Sequence, residues 1–220
     1  MNAPLPLTVA REAAGAYDKV AAISNEVAGR LAARLAKETQ GEVLFTPGDR
    51  GRYATDASIY QEMPVGVFVP HSIDDVRLAL DICRDLKVPI VPRGGGTSQC
   101  GQTVGAGLVI DYSKHVRKVL EVDVSGRSAV VQPGIVLDHL NAQLKAHGLW
   151  YPVDVSTSAQ ATLGGMAGNN SCGSRSIAYG NMVHNVIGAN AWTPDGELHH
   201  FGRFENSVGR ARDIGNRVRE

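Results

Sequence analysis

The sequence predicts an α+β domain of two lobes, and three patterns lead to that prediction. Residues 65–113 alternate between strand-like and helix-like segments, as in a β-α-β unit. Two strand–turn–strand patterns follow, at residues 116–134 and 185–201. We therefore expect two lobes that meet between Asp111 and Gln132.

The first predicted element is a long N-terminal helix. Apolar residues recur at three- and four-residue intervals from Val9 to Lys37, and Gly41 is the expected stop. We expect this helix to pack on its own domain, with a partner-binding role as the alternative. The next segment, TPGDRG at 46–51, has the composition of a turn.

The β-α-β unit follows. Ser72, with Asp75 three residues later, predicts a capping box that opens a helix running through Leu86. Its strands are expected at 65–70, 88–92 and 107–113.

The second lobe begins with a hairpin that turns at Ser125-Gly126. A helix is predicted at 135–148, with Gly148 as its stop. A glycine-rich polar segment occupies 152–180, and the last hairpin turns at a Pro-Asp-Gly sequence.

Composition excludes several classes of protein. The 220 residues contain 22 basic and 22 acidic side chains, so no net field favours nucleic acid. No apolar run reaches the roughly eighteen residues that a bilayer span requires. Three widely separated cysteines (Cys83, Cys100 and Cys172) and an N-terminus without a basic n-region favour a cytoplasmic protein with reduced thiols. No metal-ligand spacing is present, so we predict no metal site.

The segment PRGGGTSQCG, at residues 92–101, is the first chemical motif. A Rossmann loop needs GxGxxG before a helix, and a P-loop needs Lys followed by Ser or Thr, so neither fits. Consecutive glycines allow positive φ, and their backbone N–H groups can form a nest around an anion. A tight turn between strands is the alternative.

The second motif, STSAQATLGGMAGNNSCGSRSIAYG at 156–180, is too long and polar for an ordinary connection. Its small donors and acceptors suit a large, polar, planar ligand. With one such segment in each lobe, we expect a ligand long enough to reach both.

Three stretches occur in order: PRGGGTSQCGQ, YPVDVSTSAQATLGGMAGNNSCGS and YGNMVHNVIGANAWTPDGEL. Together they resemble the FAD-linked oxidase family. The resemblance implies a two-lobed FAD-binding domain of the para-cresol methylhydroxylase (PCMH) type, which would follow the N-terminal helix predicted above from periodicity. The stretch YATDASIYQEMPVGVFVP is similar to the D-2-hydroxyglutarate dehydrogenase branch, whose members often carry an iron–sulfur region further on.

The resemblance also implies domain boundaries. The FAD-binding domain would span 51–202, with lobes at about 60–115 and 116–202, and residues 1–50, which carry little of the resemblance, are expected to be a helical extension. Residues 203–220 resemble the start of a linker or basic helix leading to a substrate-binding cap domain. We expect the chain to be a piece of a larger oxidoreductase, or a separately encoded subunit.

By resemblance, FAD is held without a covalent bond, because Thr97 stands where some relatives carry a flavin-linked histidine. The residues implied to bind FAD are Arg93, Gly94, Gly95, Gly96, Thr97, Ser98, Gly101, Gln102, Pro152, Asp154, Thr157, Ser158, Thr162, Gly164, Gly165, Gly168, Asn169, Asn170, Gly173, Val186 and Ile187. Asn170 is the expected side-chain contact to the flavin, with a cap on a local turn as its alternative. Cys172 is expected to be a small packing residue.

The implied reaction is hydride transfer from a 2-hydroxy acid (D-lactate, glycolate or D-2-hydroxyglutarate type) to FAD. The catalytic base is expected outside this chain, which alone would be inactive. The alternatives are an NADPH-dependent reductase of the UDP-N-acetylmuramate type and a non-catalytic flavin-binding module. Self-association and peripheral membrane attachment of the full-length protein are further expectations.

Overall fold

The computed structural model of the chain describes residues 23–219. The predicted long helix therefore lies partly outside the described residues. Its described part is α1 (Asn25–Glu38), which Ser24 caps by accepting a hydrogen bond from the backbone N–H of Val27. Leu31 and Leu35 on this helix are fully buried, so it packs on its own domain as expected.

The first lobe is a four-stranded sheet. Its strands are β1 (Glu42–Leu44), β2 (Gly66–Val69), β3 (Ile90–Arg93) and β4 (Leu108–Asp111). The spatial order is β1-β2-β4-β3, with β1 antiparallel to β2 and the other pairs parallel. Every residue of β2 and β4 is buried, as expected for central parallel strands.

Two helices connect these strands, and both differ from prediction in detail. TPGDRG is not a turn: α2 (Pro47–Arg52) forms there because the Thr46 hydroxyl caps it and proline suits the first helical turn. Ser72 caps α3 (Ile73–Leu86) as predicted. The Asp75 carboxylate, however, accepts from the backbone N–H groups of His71 and Gln40 rather than from Ser72.

The second lobe contains both predicted hairpins. Their strands are β5 (Val119–Asp123) with β6 (Ser128–Val131), and β7 (Ala189–Trp192) with β8 (Leu198–Phe201). The predicted helix at 135–148 is α4 (Leu137–Leu144) followed by a 3₁₀ turn (Lys145–His147), and Gly148 ends it with φ of +69°. The later helices are α5 (Leu163–Gly168), α6 (Ser176–Tyr179), α7 (Met182–Asn185) and α8 (Gly209–Arg219), with a 3₁₀ turn at Phe204–Asn206.

Each lobe has its own core. One buried cluster joins α1, α3 and the sheet around Phe68, and another joins α4 and α5 around Leu140 and Met166. The two-lobed α+β prediction is confirmed.

Candidate functional site

The glycine-rich loop connects two neighbouring parallel strands. It leaves β3 after Arg93 and returns to β4 at Leu108, and residues 94–107 contain no helix. A parallel connection usually crosses over through a helix. Here the loop itself makes the crossing, so its first residues, from Gly94, lie at the carboxyl edge of the sheet and its last ones return to the amino edge.

The first turn of this loop presents a row of free donors. None of the backbone N–H groups from Gly94 to Ser98 donates a hydrogen bond to another residue within 23–219. Backbone N–H groups that lack a protein partner are uncommon unless water or a ligand takes them. Gly96 has φ of +65°, which turns the chain within the row. The row has the character of an anion-binding nest.

Arg93 holds the loop from beneath. Its Nη1 lies 3.3 Å from the carbonyl oxygen of Tyr53 and 3.4 Å from that of Thr103. Its guanidinium also packs over the Tyr53 ring, 5.2 Å from the centroid. These contacts tie the loop backbone to the segment before β2, and the predicted contact of Arg93 with a pyrophosphate stays a prediction.

The second glycine-rich segment starts at a capped helix. The buried Thr162 hydroxyl accepts from the N–H of Gly165 at 3.4 Å, and the Thr162 carbonyl accepts from Met166 at 2.8 Å. The N–H groups of Leu163 and Gly164 donate to carbonyls at the end of the first hairpin. The first turn of α5 therefore has its donors already satisfied, so anion donors must come mainly from the other loop.

The two segments are in direct contact across the lobes. A Cβ on Gly94 would overlap the Thr162 hydroxyl, and a Cβ on Gly95 would overlap the carbonyl oxygen of Gln160. Neither glycine has a positive φ; within this loop only Gly96 and Gly101 do. Packing between the lobes therefore requires Gly94 and Gly95 to be glycine, while the ligand contacts predicted for all three consecutive glycines stay predictions.

A side-chain bridge joins the same two segments. The Gln102 amide donates to Asn169 Oδ1 at 3.1 Å, and Asn169 Nδ2 donates to Ser171 Oγ at 3.2 Å. Ser98 Oγ contacts the other end of the Gln102 amide. Three predicted cofactor residues are thus brought into one network.

Asp154 accepts hydrogen bonds from the later part of the second segment. Its carboxylate accepts from the Ser174 hydroxyl at 2.8 Å and from the Arg175 N–H at 3.1 Å. These hydrogen bonds, with that of Ser174 the strongest, lower the pKa of Asp154 below its ordinary value. A Cβ on Gly173 would overlap the Asp154 carbonyl, so glycine is needed there for packing.

Asn170 has the unusual backbone φ of +46°, and its Oδ1 accepts from the Val183 N–H at 3.0 Å. This hydrogen bond ties Asn170 to the first turn of α7, with a sequence separation of 13, so it is not a cap on a local turn, and the flavin contact of Asn170 stays a prediction. Cys172 is exposed, so the prediction that it packs inside is wrong.

The remaining predicted residues lie around these contacts. The Thr157 carbonyl accepts from the backbone N–H groups of Gln160 and Ala161, and the Ser158 carbonyl accepts from the backbone N–H of Asp138.

The other predicted residues differ in exposure. Thr97, Pro152 and Gly101 are partly exposed, and Val186 and Ile187 are exposed. Gly168 is exposed at the end of α5, and a Cβ there would meet nothing within 4 Å.

Sequence reasoning missed the support beneath the glycine loop. Asp111 is buried and accepts from the Tyr53 hydroxyl at 2.8 Å and the Ser113 hydroxyl at 2.6 Å. Burial and this carboxylate raise the pKa of Tyr53 well above its ordinary value. Tyr53 and Asp111, with Arg93, line an open cleft of about 440 Å³ behind the loop. No local pattern connects residues so far apart in sequence.

Comparison with known families now identifies the domain. Residues 64–202 match the family described as FAD binding domain. The chain belongs to that family. The resemblance to FAD-linked oxidases is thereby confirmed, and FAD is the cofactor of the fold.

Individual curated proteins are similar to the same part of the chain. The D-2-hydroxyglutarate dehydrogenase of Haemophilus influenzae is 36% identical over 72% of this chain and 16% of its own length. The glycolate oxidase subunit GlcD of Bacillus subtilis is 37% identical over 73% of this chain and 35% of its own length. The chain thus spans only a part of the curated relatives it matches.

Solved structures show the same fold. Alkyldihydroxyacetonephosphate synthase superposes with a TM-score of 0.73 at 22% identity, over 84% of this chain and 37% of that one. Within residues 23–219, no helix has both the length and the apolar character for crossing a membrane.

The site's own geometry fits FAD. A dinucleotide pyrophosphate is an elongated anion, and the unpaired N–H row from Gly94 to Ser98 offers donors to its oxygens. The open space at Gly168 and the exposed amides of Asn169 and Asn170 offer room and polar partners on the second segment.

Proposed function

We propose that this chain is the FAD-binding portion of an oxidoreductase that oxidises a 2-hydroxy acid. The names of the relatives support the substrate class, because D-2-hydroxyglutarate and glycolate are both 2-hydroxy acids. The row of free N–H groups from Gly94 to Ser98 is the observation that carries the cofactor role.

In this proposal each lobe binds a different part of the cofactor. The N–H groups of the glycine loop, with the hydroxyls of Thr97 and Ser98, bind the pyrophosphate. Because threonine cannot form a histidyl–flavin bond, the cofactor is held without a covalent link. Arg93 keeps the loop in shape through its bonds to backbone carbonyls, and it adds positive charge beneath the phosphates.

The second segment contributes to the other parts of the cofactor. Gly168 provides a surface without a side chain, and Asn169 and Asn170 provide amides beside it. Val186 and Ile187 offer exposed apolar surface to the adenine. The Gln102–Asn169 hydrogen bond fixes the distance between the two segments before the cofactor arrives.

Bound FAD supplies an acceptor for two electrons as hydride. This chain binds and orients it, and a base from another part of the protein takes the substrate's hydroxyl proton. A cap domain in the full-length protein would position the hydroxy acid. In the same proposal, a separate electron acceptor reoxidises the flavin, and an iron–sulfur cluster lies elsewhere in the full-length protein.

A glycine substitution tests where the cofactor lies. Gly168→Ala adds a methyl group that meets no protein atom, so only a ligand can be disturbed. We expect the free energy of unfolding of the FAD-free chain to stay constant or rise by up to ~1 kcal/mol. FAD affinity should fall by about tenfold, or ~1.4 kcal/mol.

Gly29→Ala is the matched control, because Gly29 is also a helical glycine with nothing within 4 Å of a Cβ. It should change stability similarly and leave FAD affinity unchanged. Isothermal titration with FAD measures the affinities of both variants, and urea unfolding of the FAD-free chains measures their stabilities. Wild-type affinity in Gly168→Ala would remove Gly168 from the proposed site. For the substrate class, the full-length gene product should reduce its flavin with D-2-hydroxy acids, and absence of reduction by every acid tested would refute it.

A further inference from the structure

A group of potential metal ligands lies at the edge of the first lobe, outside the FAD site. Glu42, His71 and His115 each offer one ligand atom, and these atoms lie within 4.8 Å of one another. Glu42 Oε1 is 3.0 Å from His115 Nε2 and 3.7 Å from His71 Nε2. The two imidazole rings meet edge to face, with centroids 4.3 Å apart.

Three different elements bring these residues together. Glu42 pairs with Val69 in the β1–β2 ladder, and His71 follows β2 by two residues. His115 lies in the turn after β4. Since β2 and β4 are parallel, their carboxyl ends meet at one edge of the sheet, where antiparallel β1 begins.

The backbone that carries the cluster is fixed. The buried Asp75 carboxylate accepts from the N–H of His71 and from that of Gln40, both at 2.9 Å. Asp111 accepts from the N–H of Ser113 at 2.8 Å, which anchors the turn leading to His115. The ligands therefore sit on a scaffold that is already held in place.

The spacing of the ligand atoms suits a small divalent cation. Zinc binds imidazole nitrogen and carboxylate oxygen at about 2.0–2.2 Å, which puts tetrahedral neighbours roughly 3.3–3.6 Å apart. The two distances from Glu42 Oε1, 3.0 and 3.7 Å, bracket that range. Two imidazoles and a carboxylate also favour a transition metal over Mg²⁺ or Ca²⁺.

The ammonium group of Lys114 already contacts the Glu42 carboxylate. Lys114 Nζ lies 2.6 Å from Glu42 Oε1 and 2.8 Å from Oε2, and its side chain is 55% exposed. An exposed lysine can turn into solvent at little cost, since a surface ion pair is typically worth about 0–1 kcal/mol. Both histidines are partly exposed, so an ion has a path in from water.

We propose that Glu42, His71 and His115 form a binding site for Zn²⁺ or a similar divalent transition metal, and that the metal displaces Lys114 from Glu42. The bound ion would join β1 to the ends of β2 and β4 and stabilise the first lobe. It leaves a coordination position for water, beside the cleft that Glu42 and Lys114 also line. This inference does not depend on the proposed oxidoreductase function.

The test is Zn²⁺ affinity of the EDTA-treated 220-residue chain, measured by competition with a chromophoric chelator. Cys100→Ser and Cys172→Ser form the background, so that exposed thiols do not bind the ion. His71→Ala and His115→Ala should each weaken binding beyond the ten- to hundredfold typical of residues that merely support a ligand. Lys114→Gln should strengthen it several-fold, because the competing cation is gone.

His139→Ala is the matched control, since His139 is exposed on α4 away from the cluster, and it should bind as the parent does. Glu42→Gln repeats the ligand test with a side chain of similar size, should a histidine variant lose its folded circular dichroism spectrum. Parent affinity in the ligand variants would overturn the proposal. So would an absence of Zn²⁺ binding, or a Lys114→Gln variant that binds more weakly than the parent.

Discussion

Gly94→Ala tests the contact between the two lobes. The new Cβ would overlap the Thr162 hydroxyl and lie 3.2 Å from Thr162 Cβ. Gly94 has no positive φ, so alanine is compatible with the backbone and only space opposes it. Moving the hydroxyl breaks the cap on α5, which costs about 1 kcal/mol, and overpacking adds ~1–3 kcal/mol. We expect a loss of about 2–4 kcal/mol in the free energy of unfolding.

A double-mutant cycle separates this contact from any effect of the ligand. Thr162→Ala alone should cost about 1 kcal/mol as a lost cap. In the double variant the overlap with the hydroxyl is gone and the cap is lost only once, so we expect a loss of about 1 kcal/mol, which is ~2–4 kcal/mol less than the sum of the two single losses. Urea unfolding of the FAD-free chain, followed by circular dichroism, measures all four proteins.

Gly29→Ala combined with Thr162→Ala is the control pair, because Gly29 touches nothing near the site. These two changes should add to within about 0.5 kcal/mol. If Gly94→Ala and Thr162→Ala are equally additive, the packing explanation for Gly94 is refuted.

Three further outcomes are expected. The chain should bind FAD more tightly than FMN, and acid precipitation should release the flavin because Thr97 cannot bond to it; equal affinities or a yellow pellet would contradict this. Cys83 is buried, with its pKa raised to about 12, so a thiol reagent should modify Cys100 and Cys172 quickly and Cys83 only on unfolding; three fast thiols would contradict it. Because the pKa of Asp154 is lowered in the folded state, its carboxylate stabilises the fold fully above pH ~4. This stabilisation is lost as the pH falls through the pKa of the folded state. The difference in urea midpoint between wild type and Asp154→Asn should therefore shrink below that pH, and a constant difference would exclude the charge as its cause.

Much of the fold was predictable because local patterns specify it. The period-two runs around Ser125-Gly126 and the Pro-Asp-Gly turn predicted both hairpins correctly. Ser72 predicted where α3 begins, since a cap is a contact between residues close in sequence. TPGDRG was misread because Thr, Pro, Gly and Asp are common both in turns and in the first turn of a helix.

The sequence by itself determined both hairpins, the start of α3, the loop without a helix after β3, and the family, because each depends on short stretches read in order. It could not distinguish the glycines that touch the other lobe from those that remain open. The sequence gives no sign of the difference between Gly94, which faces Thr162, and Gly168, where a Cβ would meet nothing within 4 Å. The direction of Arg93 and the convergence of Glu42, His71 and His115 were likewise decided only by the tertiary structure. They depend on strand order, which places residues far apart in sequence at one edge of the sheet.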